Sequence, residues 1–166
     1  MFRLKMIKKS RAHHRIESWR SVVLLGILTI LLTGCLANRL GGEGLNKQIN
    51  VFGLSLYSAH DDKSIRGVVP IKEPCLKGFE YIYDPLDLTI SYGFNDRIRR
   101  ITTRNKETSM FNIHIGDSFS KGKDIIRQAG FSEGDSPYKF VKDGCLFTLL
   151  VDDHERIFGM SFEVLD

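Results

Sequence analysis

The sequence contains few of the residues that hold small folds together by covalent bonds or metal ions. Its 166 residues include three cysteines, four prolines and one tryptophan. Three cysteines are too few for a disulfide-dense scaffold, and none has another cysteine or a histidine at the spacing of a zinc site. These absences predict that the protein binds no metal or cofactor. The length and composition are those of one ordinary globular domain plus an additional segment.

Catalytic motifs are also absent. No serine lies in a Gly-x-Ser-x-Gly elbow, and the glycines at 41–44 lack the lysine and helix of a phosphate-binding loop. We therefore expect a protein that is not an enzyme.

Two acidic histidine clusters provide the alternative. His60 precedes two aspartates, and His154 follows two more, Asp152 and Asp153. Such clusters are typical of helix starts and hairpin turns, but they would also suit an extracytoplasmic enzyme or a metal-binding accessory protein.

The first 34 residues have the pattern of an export signal. Residues 1–20 hold seven basic side chains and one acid, Glu17. An uncharged apolar run follows at 21–33, within the length of about 7 to 15 residues expected for a signal sequence and shorter than the roughly 20 of a spanning helix. Translation from Met6 instead of Met1 would leave this pattern intact.

The apolar run ends in Leu32-Thr33-Gly34-Cys35, which resembles the lipobox of bacterial lipoproteins. The resemblance implies that Cys35 receives a diacylglyceryl thioether and that the signal peptidase cleaves between Gly34 and Cys35. The mature chain would then be anchored to a membrane, facing outside the cytoplasm. The residue after Cys35 is Leu36 and not the aspartate associated with inner-membrane retention. In a cell with two membranes we therefore expect sorting to the outer membrane. The alternative is an uncleaved anchor in which Cys35 is incidental.

Basicity belongs to the leader alone. Without it, residues 35–166 hold 17 basic and 19 acidic side chains, a net charge of −2, which argues against nucleic-acid binding. One local arginine cluster remains, consisting of Arg97, Arg99, Arg100 and Arg104. It is typical of a solvated sheet edge, with contact to an anion or a lipid headgroup as the alternative.

Two cysteines remain in the mature chain. Cys75 and Cys145 could form one disulfide in an exported domain. The alternative is a pair of free thiols, since the sequence does not establish that their Cα atoms come within the roughly 4.4 to 6.8 Å that a bridge needs.

The mature chain predicts a glycine-rich tether at 35–48 followed by two repeats, at 49–104 and 109–166. Leu54 and Leu56 match Ile113 and Ile115 at an offset of 59 residues. Each half is predicted to run from a strand through a capped helix into a three-stranded antiparallel meander. The fold class expected is α+β, a duplicated small module with helices packed on an antiparallel sheet.

This order of elements resembles the tandem modules of the beta-lactamase-inhibitor-protein-like and small outer-membrane lipoprotein (OmlA/SmpA-type) families. The resemblance implies a module that holds a partner protein of the cell envelope through its sheet. Four aromatic side chains are expected in the core, with an exposed sheet face for binding a partner as the alternative: Phe79, Tyr81, Tyr83 and Tyr92.

Overall fold

The computed structural model describes residues 44–59 and 63–165, and the domain it defines is built mainly of antiparallel strands. The strands are β1 (Ile49–Asn50), β2 (Ile71–Cys75), β3 (Gly78–Tyr83), β4 (Leu88–Gly93), β5 (Ile98–Thr103), β6 (Ser109–Met110), β7 (Ile113–His114), β8 (Ser132–Glu133), β9 (Lys139–Lys142), β10 (Cys145–Val151) and β11 (Ile157–Val164). A 3-10 turn spans Asp84–Leu86, and helix α1 spans Phe119–Gln128.

Eight strands form one sheet in the order β2-β3-β4-β5-β11-β10-β9-β8, and a small sheet has the order β1-β6-β7. The large sheet consists of two meanders joined where β5 pairs with β11. At that seam Thr102 lies opposite Ser161, and their hydroxyl oxygens are 2.9 Å apart. The strands predicted within both meanders are confirmed, since the apolar segments that predicted them form β3, β4, β5, β10 and β11.

The core lies on one face of the large sheet. The Phe111 ring, next to the small sheet, makes edge-to-face contacts with Phe131, Phe147 and Phe162 at centroid distances of 5.0 to 5.4 Å. Such contacts add to the burial of the rings. Helix α1 packs on the same side. Its Gly122 lies so close to the core that a Cβ added there would touch Ile157, Leu149 and Ile113.

The helix predicted in the second half is confirmed. Ser118 caps it by accepting a hydrogen bond from the Lys121 backbone N–H at 3.3 Å. Gly130 follows its end with φ +86°, a left-handed conformation that ends helices and is favourable for glycine.

The predicted α+β fold class is wrong, because α1 is the only helix longer than one turn in the described residues. In the first half, residues 63–70 form a tight hairpin in place of a helix. Ile65 and Val68 exchange two backbone hydrogen bonds around Arg66 and Gly67, which both have positive φ. The duplicated strand–helix–meander module is therefore wrong as well. The described residues form two antiparallel sheets and one helix longer than a single turn.

The predicted opening strands are interrupted for a related reason. Phe52 and Gly53 have positive φ, as do Phe111 and Asn112, so the backbone turns at both places. The sequence also missed β2, the edge strand that follows Pro70.

The packed domain includes the last residues assigned to the tether. Residues 44–46 are helical and Leu45 is buried, so packing begins before Ile49. None of the described helices is long and apolar enough to cross a membrane.

Candidate functional site

The large sheet has one face that no described segment covers. Helix α1 and the core lie on the opposite face. Strand pairing places on the uncovered face a charged row, which runs across five strands and consists of Glu73, Glu80, Ser91, Arg100 and Glu163. Beside it lies a hydroxyl row, which consists of Thr89, Thr102, Ser161 and Thr148. Both rows follow from the two-residue period of side chains along a strand.

Arg100 is the centre of the charged row. Its guanidinium donates a hydrogen bond to Glu80, and Nη1 lies 3.7 Å from a carboxylate oxygen of Glu163. The hydroxyl of Ser91 donates to the same Glu80 oxygen at 2.9 Å. The three charged side chains are 24 to 40% exposed, so they combine fixed positions with contact to solvent. The arrangement is an ordered set of charges of both signs.

A groove runs from the charged row to the edge of the sheet. Its volume is about 290 Å³. Its walls include Cys75, Leu76, Lys77, Tyr92, Arg99 and Val164 in addition to four members of the charged row. A more open concavity continues past Leu76 to Phe94 and Asn95 on the next turn. The groove offers hydrogen-bonding and apolar contacts to a ligand.

The structure does not bring together the cysteines predicted to form a disulfide. Cys75 is at the end of edge strand β2, and Cys145 begins β10, with four strands between β2 and β10 in the sheet. Neighbouring strands are about 4.8 Å apart, so the separation far exceeds the reach of a bridge. Both are free thiols on opposite faces of the sheet: Cys75 lines the groove, and Cys145 is in the core.

The histidine clusters are placed only in part. His60, Asp61 and Asp62 lie outside the described residues. Asp152, Asp153 and His154 form an exposed turn between β10 and β11. The Asp152 carboxylate accepts backbone hydrogen bonds from Arg156 and His154 at 2.8 and 2.9 Å, which lower its pKa.

The described part of the chain contains no group of three or more histidine, cysteine, aspartate or glutamate side chains positioned to hold a metal ion. The carboxylate of Asp152 stabilises its turn instead.

The alternative of an exposed aromatic face is wrong. Tyr81, Tyr83 and Tyr92 are buried on the core side of the sheet. Lys72 lies 3.9 Å from the centre of the half-buried Phe79 ring, and Lys63 lies 3.9 Å from that of Tyr92. Burial of the hydroxyl raises the pKa of Tyr92 well above its usual range. These rings belong to the core and to lysine–ring contacts at its edge.

The arginine cluster divides among three places. Arg100 is in the charged row, whereas Arg97 and Arg99 lie where β5 begins, at the turn that joins β4 to β5. Arg104 follows the other end of β5, and its guanidinium carbon lies 5.3 Å from the centre of the Phe158 ring. Glu80 and Glu163, which are the partners of Arg100, were not among the candidate residues that the sequence indicated. Alternation along β3 and β11 could have placed each on the outer face, but the strand order that makes them neighbours could not be derived from it.

No protein-family model, curated protein or solved structure matches this chain. The segment predicted to be a lipobox, Leu32 to Cys35, lies outside the described residues.

Proposed function

We propose that this protein is a lipid-anchored, non-enzymatic binding module of a bacterial cell envelope, facing outside the cytoplasm. The basic leader, the apolar run of signal length and the Cys35 that ends it support the anchor. A diacylglyceryl group on Cys35 plus a third acyl chain on its amino group would give stable membrane attachment, since stable anchoring takes more than a single chain.

The module holds a protein partner on the uncovered face of its large sheet. The observation that carries this proposal is the charged row, in which Arg100 lies between Glu80 and Glu163 beside the groove. Side chains that are already fixed lose less conformational freedom when a partner binds. Charges of both signs in a fixed order also select a partner with the complementary order.

The anchor is tested by comparing the wild type with Cys35→Ala in a bacterial host. We expect the wild type to lose residues 1–34, gain the mass of a diacylglyceryl group and enter the detergent phase. The variant should keep its leader and gain no lipid mass. Equal masses and equal partitioning of the two proteins would contradict the anchor.

The binding face is tested by placing a photo-crosslinking amino acid at Thr102 in living cells. The matched control carries it at Ser120, an exposed position on α1 across the sheet. We expect a protein adduct of one defined mass from position 102 alone, and its loss when Arg100→Glu reverses the central charge. Equal adducts from both positions, or an adduct that survives Arg100→Glu, would contradict the proposal.

A further inference from the structure

The two ends of the large sheet differ in charge. Neighbouring strands are antiparallel, so the β2–β3, β4–β5 and β9–β10 turns share one end, here called the tip end. The β3–β4 and β10–β11 turns share the other, here called the acidic end. The two turns of the acidic end carry Asp84, Asp87, Asp152, Asp153 and Glu155 against Arg156. Arg104 lies beside them, since its backbone N–H donates a hydrogen bond to the Asp87 carbonyl.

The tip end carries two of the most exposed apolar side chains in the described residues. Leu76 in the β2–β3 turn is 99% exposed, and Phe94 in the β4–β5 turn is 79% exposed. The two turns are two strand spacings apart, about 10 Å. Both residues line the same open concavity, of about 460 Å³.

Cations flank these two apolar side chains along the chain. Lys77 follows Leu76, while Arg97 and Arg99 follow Phe94, and the acid on these two turns is Asp96. The third turn of the tip end adds Asp143 beside Lys142. Arg97 is held in place because it donates a hydrogen bond to the Tyr57 carbonyl at 2.8 Å. Exposed apolar side chains with cations beside them match an anionic bilayer, in which the cations meet the headgroups and the apolar groups enter the acyl boundary.

The chain length between the proposed anchor and the domain fits this contact. Eight residues separate Cys35 from the first described residue, Gly44. A chain of that length spans at most about 30 Å, so a lipid on Cys35 keeps the domain within reach of the bilayer surface.

We infer that the tip end docks on an anionic membrane surface, with Leu76 and Phe94 entering the bilayer and Lys77, Arg97 and Arg99 contacting lipid headgroups. This inference rests on the proposed lipid anchor. It orients the domain with its strands upright on the membrane and its uncovered face turned sideways, open to a partner in the same envelope layer.

Tryptophan quenching by lipid tests the inference in the full chain. Trp19 is the single tryptophan, so Trp19→Phe gives a silent background for Phe94→Trp. The matched control is Val69→Trp, which replaces an apolar side chain that is 81% exposed and precedes β2 at the acidic end, about 20 Å away along the strand. Each protein is purified from bacterial membranes and reconstituted in vesicles of brominated phosphatidylcholine containing phosphatidylglycerol.

We expect quenching at position 94 to exceed quenching at position 69 at least twofold, and the excess to fall when phosphatidylglycerol is omitted. If the chain floats with the vesicles but both positions are quenched equally, the docking inference is overturned and the anchor stands. An excess that is unchanged without phosphatidylglycerol overturns the role of the cations. If the chain does not float with the vesicles at all, the anchor and the inference fail together.

Discussion

The two faces of the large sheet are made by the same strands, yet they differ in the kind of side chain they carry and in its exposure to water. One face is filled with rings and aliphatic side chains that are almost wholly excluded from water. The other carries hydroxyls and paired charges that remain partly exposed, apart from the buried Ser91. A stability effect should therefore depend on the face to which a side chain points, even between consecutive residues.

The largest expected effect compares Phe147 with its neighbour Thr148 on β10. Phe147 is fully buried against Phe111 and Phe162, so Phe147→Ala should lower the free energy of unfolding by about 3 to 5 kcal/mol. Thr148→Ala, on the uncovered face, should change it by less than about 1 kcal/mol. Urea unfolding of the two variants measures the difference, and similar losses would mean that the uncovered face is packed.

The two thiols make the next comparison. Burial raises the pKa of Cys145 to about 11, so at pH 8 only about one thousandth of it is thiolate, the reactive form. In a Cys35→Ala background, Cys75 should react with a disulfide reagent at least about 100-fold faster than Cys145 in the folded protein.

Both thiols should react fully in urea. If no free thiol is detected in urea without reductant, Cys75 and Cys145 are joined by the predicted disulfide. Equal reaction rates of the two thiols in the folded protein would show that Cys145 is at the surface.

A smaller effect separates two tyrosines within the buried face. The Tyr83 hydroxyl donates to the Lys63 carbonyl at 2.6 Å, so Tyr83→Phe should cost about 1 kcal/mol. The buried Tyr92 hydroxyl has no hydrogen-bond partner among the described residues, so Tyr92→Phe should leave stability unchanged or raise it slightly. Thermal unfolding compares them, and an equal cost would reveal a partner for Tyr92.

The smallest effect concerns the charged row itself. A double-mutant cycle on Arg100→Met and Glu80→Gln should give a coupling near the upper end of the roughly 0.2 to 1 kcal/mol typical of exposed ion pairs. The control is the pair Arg66 and Glu107, in which Nη1 and Oε2 are 2.6 Å apart and the side chains are 57 and 65% exposed. This more exposed pair should couple more weakly. A stronger coupling in the control pair would show that Arg100 is not held by Glu80.

Local patterns predicted the strands of both meanders, and the reason is visible at particular residues. Leu88, Ile90 and Tyr92 alternate with Thr89 and Ser91, and this period is determined by backbone geometry whatever the strand order. Helix α1 was predictable for the same reason, because its cap and its terminal glycine are local signals. The helix predicted before Pro70 failed because two consecutive left-handed residues, Arg66 and Gly67, closed a hairpin there.

The sequence by itself determined a basic N-terminal segment, a cysteine at the end of an apolar run and the alternation that assigns strand residues to a face. Only the tertiary structure decided which strands are neighbours. The pairing of β5 with β11 brings Arg100 to Glu163, and the four strands between β2 and β10 keep Cys75 away from Cys145. Contacts between residues distant in sequence depend on how all the strands share one core, and no local pattern encodes that arrangement.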